Sequence, residues 1–148
     1  MKILDIKSAA ETSVDHQDLL GCVREICQAS AEALHCTARR ANNPQIERAM
    51  TRVKLERQRL VRRLPGQENQ ADVAALVGDT CASYRAYCSS GQLRNEELRG
   101  LIELDREVAQ ALRGVVRDIT ATTTALKLSA VLAEFQMSSD ELRADIER

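Results

Sequence analysis

Apolar residues recur along this chain every three or four positions, the spacing that lines one face of a helix, and nowhere alternate strictly for the length of a strand. Three clusters of turn residues interrupt the pattern: Asn42-Asn43-Pro44, Pro65-Gly66 and Ser89-Ser90-Gly91. A softer mark is Thr120-Ala121-Thr122-Thr123-Thr124, where β-branched residues lower helix propensity without forbidding a helix, so that a turn there stays open. The spacing predicts helical segments over about 14–41, 44–64, 69–88, 94–119 and 121–147. Met137-Ser138-Ser139-Asp140 reads either as continuous helix or as a break, with a serine capping a short final helix.

Each segment carries an apolar stripe. The first starts near Ser13, with Asp15 in its opening turn, and aligns Leu20, Val23, Cys27, Ala31, Leu34 and Ala38. A second stripe on the same segment runs Cys22, Ile26, Ala29, Ala33 and Cys36, and its small residues allow another helix to come close. The second segment has Pro44 in its first turn and aligns Ile46, Met50, Val53, Leu60 and Leu64. Val73, Leu76, Val77, Cys81, Tyr84 and Cys88 line the third, and Leu98, Leu101, Val108, Leu112, Val115 and Ile119 the fourth. The last carries Leu128, Val131, Leu132, Phe135, Leu142 and Ile146. Short connections favour antiparallel neighbours, so the economical architecture is an all-α, antiparallel four-helix bundle with one additional helix, the 69–88 segment lying beside or across it.

Composition narrows the class. A length of 148 residues fits one domain, 1–148, in which residues 1–12 read as a flexible N-terminal segment. Phe135, Tyr84 and Tyr87 are the only aromatics, and Gly 6 and Pro 2 leave too few turn and strand formers for a β-sandwich or a glycine-rich nucleotide fold. No stretch approaches the ~20 apolar residues of a membrane span. The opening residues carry Asp5 and lack an apolar export region, so a cytoplasmic protein is expected. The cysteines, Cys22, Cys27, Cys36, Cys81 and Cys88, are odd in number and without CxxC spacing. They read as reduced thiols, and no obligatory disulfide is expected.

A family likeness lies in the first 65 residues: Asp18-Leu19-Leu20, Glu25 and Cys27 in mid-helix, Asn43-Pro44-Gln45-Ile46 at the turn, and Glu56-Arg57 before Leu60. With these the chain resembles a ferritin-like four-helix-bundle family of uncharacterised bacterial proteins. Beyond residue 69 the likeness is one of layout. It implies a ferritin-like bundle and no particular activity.

Several groupings could carry chemistry. Glu32-Ala33-Leu34-His35 has the ExxH spacing of carboxylate-bridged metal sites. At roughly 100° per residue, however, Glu32 falls nearly opposite the Leu20/Leu34 stripe, with His35 on its flank. The ligand pool for iron or manganese is then Glu25, Glu32, His35, Glu56, Glu103 and Glu107, short of the usual histidines. No cofactor is expected, and a di-metal oxidoreductase or iron-handling protein is the rival reading. Arg57, between Val53 and Leu60, and Asp105, between Leu101 and Val108, are charges inside apolar stripes. Arg57 is expected to pair with Asp105, or with a nearby acid such as Glu25, and so to fix helix register. The plainer alternative is an arginine snorkelling from the end of the bundle.

Residues 39–63 hold nine basic residues against Glu47 and Glu56, a local charge of +7, while the last helix is acidic. Arg52, Arg59, Arg62 and Arg63 form the candidate anion or nucleic-acid patch. No aromatics interleave with it, so nucleic-acid binding is not expected and internal complementarity or a subunit contact is the commoner cause. No P-loop, GxGxxG or GxSxG motif occurs, and nothing points to an enzyme. The expected function is a non-enzymatic binding or structural module working through helix faces and self-associating. Its best interface is the stripe Cys22, Ile26, Ala29, Ala33 and Cys36, which would otherwise leave an apolar strip in water.

Overall fold

The computed structural model describes residues 16–64, 70–117 and 122–147. These form five helices, α1 (His16–Arg40), α2 (Pro44–Arg63), α3 (Gln70–Arg85), α4 (Asn95–Arg117) and α5 (Thr122–Glu147), with no strand among the described residues. The expected flexible segment 1–12, Ser13, Asp15 and the Pro65-Gly66 break lie outside them, as do the side chains of Val73, Val115 and Ile119.

Local chemistry sets the boundaries. The Asn43 side chain accepts the Gln45 N–H at 2.8 Å, Pro44 opens α2, and Glu47 in the first turn with Arg62 and Arg63 in the last complement the helix dipole. The third segment ends earlier than its periodicity suggests. α3 stops at Arg85, and Gly91, at φ +94°, turns the chain towards α4. Cys88 therefore lies beyond the helix and is exposed, not part of a core stripe. α5 is continuous: Thr122–Thr124 are helical, and Ser138 and Ser139 are buried within it.

α1 packs closely against α2 on one side and α3 on the other. α2 passes on to α5 and α5 to α4, while α4 meets α3 and α1 more lightly. Arg63 pairs with Glu134 and Arg52 with Asp145, so α2 and α5 run antiparallel. The Cys81 thiol donates to the Glu25 carbonyl and Arg85 pairs with Glu32, so α1 and α3 run in the same direction. α3 thus fills the cleft where α1 and α4 would otherwise meet.

That placement corrects the expected interface. Cys22, Ile26, Ala29 and Ala33 are buried within the chain, at 0–2% exposure, and α3 and the turn after it pack along α1 at Glu25, Glu32 and Cys36. Cys36, at the end of the stripe, is half-buried. A second expectation falls with it: Cys36 and Cys88 are joined in a disulfide across 52 residues, their Cα atoms 5.1 Å apart. The early end of α3 turns Cys88 back towards α1 and brings the two sulfurs together.

Candidate functional site

The densest polar chemistry lies in the centre of the bundle. Arg57, from α2, is 0% exposed, and Asp105, from α4, 2%. Both sit in the middle of apolar stripes, which is why each is carried inward when its helix packs. The guanidinium donates through both terminal nitrogens to the two carboxylate oxygens, at 2.8 and 2.7 Å, the fork geometry that suits arginine. Its Nε donates to Ser138 Oγ at 2.9 Å, and Nη2 also reaches the Phe135 carbonyl at 3.5 Å. The Phe135 ring lies beneath the guanidinium, 3.5 Å from its carbon to the ring centroid, a desolvated cation–π contact.

The carboxylate is equally well held. Tyr84, from α3 and 0% exposed, donates its hydroxyl to Asp105 Oδ1 at 2.7 Å, and Ser139 adds a further hydrogen bond. Ser138 in turn donates to the Phe135 carbonyl at 2.8 Å. Four helices therefore meet in one network: Arg57 of α2, Tyr84 of α3, Asp105 of α4 and the Phe135–Ser139 turn of α5.

The electrostatics follow from this closure. Burial pushes the Asp105 carboxyl up, but the Arg57 charge and the hydrogen bonds from Arg57, Tyr84 and Ser139 outweigh it and hold the group below the usual carboxylate range. Burial opposes the charge on Arg57, and Asp105 more than restores it, so the arginine stays protonated. Burial, then the neighbouring Asp105 charge, raise Tyr84 well above an ordinary phenol. Cys27 is pushed up to about 12, chiefly by burial and against the pull of Arg57. An ionised Asp105 with a neutral Tyr84 and a neutral Cys27 is a stable arrangement, with no group poised to exchange protons near neutrality.

Glu25, the alternative partner for Arg57, is not part of this network. It is half-buried and lies 4.0 Å from Arg24. The other expected ligands are also dispersed. Glu32 pairs with Arg85 at 3.0 Å, and His35 is exposed with Lys54 Nζ 3.4 Å from its Nδ1. Glu56 faces Glu141 on the α2/α5 side, where burial and then that second carboxylate raise its pKa. Glu103 is exposed and 3.8 Å from Arg106, and Glu107 is half-buried on the same helix. Among the described residues no three His, Cys, Asp or Glu side chains converge to hold a metal ion. As placed, these described residues do not form a di-iron or di-manganese centre.

The basic segment spends much of its charge internally. Arg40, Arg52, Arg57 and Arg63 pair with Glu97, Asp145, Asp105 and Glu134. Arg59 lines a shallow pocket of about 200 Å³ with Glu56, Leu60, Glu134, Met137 and Glu141, and Arg62 is exposed. Carboxylates therefore share the surface on which an anion would have to sit.

Sequence reasoning missed a second polar junction. Arg40, the last residue of α1, donates to both Glu97 oxygens at 2.8 Å, to the Tyr87 carbonyl at 3.0 Å and to the Gly91 carbonyl at 3.0 Å. Its own carbonyl accepts the Leu93 N–H at 3.0 Å. One side chain thereby ties α1 to the loop between α3 and α4, beside the Cys36–Cys88 bond. Tyr84, Ser138 and Ser139 were missed too, and the one available signal was a serine three residues after Phe135 inside an apolar stripe. No family model, curated protein or solved structure matches this chain.

Proposed function

We propose that this chain is a non-enzymatic helical module, a structural or binding element that works through its outer helix faces. One observation carries the reading: the densest polar cluster among the described residues is sealed and mutually satisfied, with Arg57 and Tyr84 at 0% exposure. A residue that binds substrate or moves a proton must be reachable, and an ion pair this well closed adds specificity of packing more than reactivity. We read the bundle of α1, α2, α4 and α5, with α3 as the additional helix, as ferritin-like in plan. Four long helices around one core line support that reading.

Self-association belongs to the same proposal, moved away from the α1 stripe, which is largely buried within the chain. Leu55, Leu126 and Met137 are large apolar side chains at 52%, 68% and 61% exposure, and they give the outer surface its apolar anchors. Sedimentation equilibrium of the full chain tests this: a dimer or larger species supports it, and a monomer at every concentration removes it. Ferrous and manganous titration of protein purified without chelators tests the module reading against the di-metal rival. The expected result is no stoichiometric uptake. Saturable binding of a metal pair would overturn the reading.

A further inference from the structure

The Cys36–Cys88 bond differs from the other sulfurs of this protein in where it lies. Cys22, Cys27 and Cys81 are buried, and burial pushes the Cys27 and Cys81 thiols up to about 12 and about 11, so neither offers a thiolate near neutrality. Cys88 is exposed and Cys36 half-buried, at the rim of the contact between α1 and α3. A reagent can reach the bond without opening the core.

The junction is also built to stand without the bond. Tyr84, Val77 and Cys81 anchor α3 in the core at 0%, 1% and 4% exposure. The Arg85–Glu32 pair and the Arg40 contacts to Tyr87 and Gly91 hold the same end of α3 on either side of the sulfurs. The Glu32 carbonyl lies 3.5 Å from Cys88 Sγ, an acceptor already in place for the thiol that reduction would create. Both redox states therefore fit one fold.

We propose that Cys36–Cys88 is a reversible thiol–disulfide exchange site whose co-substrates are dithiols in one direction and a small disulfide of the glutathione class in the other. A dithiol thiolate attacks Sγ of Cys88, the more exposed of the two residues. A mixed disulfide forms there as the Cys36–Cys88 bond breaks. The electron pair passes to Cys36 Sγ, which leaves as a thiolate and takes a proton from water. The second thiol of the reagent, as its thiolate, attacks the sulfur bound to Cys88, closing the reagent's own disulfide and releasing Cys88 as a thiolate that is then protonated. The chain gains two electrons and two protons, and the dithiol loses them. In oxidation the Cys88 thiolate attacks one sulfur of glutathione disulfide and releases one glutathione thiolate, and the Cys36 thiolate then attacks Cys88 Sγ of the resulting Cys88–glutathione mixed disulfide, closing Cys36–Cys88 and releasing the second glutathione. The site reaches beyond the module reading and does not depend on it.

The full chain tests this directly. Native protein is equilibrated in dithiothreitol buffers and then alkylated with a maleimide polymer that shifts its gel mobility once per free thiol. Two thiols are expected to appear together at one midpoint and to map to Cys36 and Cys88, with unchanged helical circular dichroism. In the Cys36→Ser variant, glutathione disulfide is expected to label Cys88, at least tenfold faster than it labels Cys36 in Cys88→Ser. Labelling of both cysteines without reductant, or release of the thiols only on unfolding, would overturn the proposal. Faster glutathione transfer to Cys36 would overturn the assigned direction of attack.

Discussion

Replacing Arg57 with methionine removes the guanidinium and leaves Asp105, at 2% exposure, facing only the Tyr84 hydroxyl and Ser139. Breaking a buried pair from one side costs on the order of 3–5 kcal/mol, because the charge that remains has neither water nor partner. That is a fifth or more of the stability of an ordinary domain, about 5–15 kcal/mol, and at about 3 °C per kcal/mol it lowers Tm by roughly 10–15 °C. Asp105→Leu strands the arginine and is expected to cost a similar amount. The double variant removes both charges and leaves chiefly the Tyr84 hydroxyl without its acceptor, a cost of about 1–3 kcal/mol. The coupling between the two sites should therefore be at least about 2 kcal/mol, read from urea unfolding of all four proteins.

The pH dependence provides a second sign. With Arg57 present, the folded pKa of Asp105 lies below its unfolded value, so its contribution is present above the unfolded pKa and is lost as pH falls through the folded one. With Arg57 absent, burial dominates and the folded pKa rises above the unfolded one. The deficit of Arg57→Met is then largest near neutrality and shrinks as pH falls towards about 4, where Asp105 can take up a proton. Additive single effects, or a deficit that does not change with pH, would refute the reasoning.

Three further outcomes are expected. Tyr84→Phe removes a hydrogen bond to a buried carboxylate and should cost about 1.5–3 kcal/mol in urea unfolding. Because the folded pKa of Tyr84 is raised, its contribution is complete below the unfolded pKa and is lost as pH rises beyond 10, so the wild type should weaken there more steeply than Tyr84→Phe. Gly100→Ala would place a Cβ 2.6 Å from the Tyr87 hydroxyl, with the next ring atoms at 3.6 and 3.8 Å. It should destabilise by about 1–3 kcal/mol alone and be neutral or mildly stabilising beside Tyr87→Phe, in thermal melts of the pair. Arg40→Ala should speed hydrogen exchange across 86–94 while leaving the core of α1 protected, since that side chain holds Tyr87, Gly91 and Glu97 together.

Burial on one face of a helix is a local property, so it was legible along the chain. Leu20, Val23, Cys27 and Leu34 in α1, and Leu128, Val131 and Phe135 in α5, are buried where their periodicity places them. Arg57 and Asp105 were legible for the same reason, as charges at positions that apolar neighbours mark as inward. Their helices bring them together across 48 residues. Tyr84 and Ser138 were not, because one hydroxyl on a helix reads alike whether it meets water or a buried acid. The seat of α3 depended on which face of α1 it would pack along, and neither connection length nor period decides that. Cys36 and Cys88 meet because α3 ends at Arg85, a boundary set by loop contacts with Arg40 that leave no periodic trace in the sequence.

The central claim is that the Arg57 cluster is a sealed structural core and not a reachable site. Exchange of arginine side-chain N–H protons, followed by NMR on protein labelled at its arginines, tests this most directly. One guanidinium, assigned to Arg57 by its loss in Arg57→Met, should exchange only at the rate of global unfolding, many orders of magnitude below the exposed arginines. Exchange of Arg57 at the rate of its exposed neighbours Arg59 and Arg62 would contradict the account, because a guanidinium that water reaches freely is one that a ligand can reach as well.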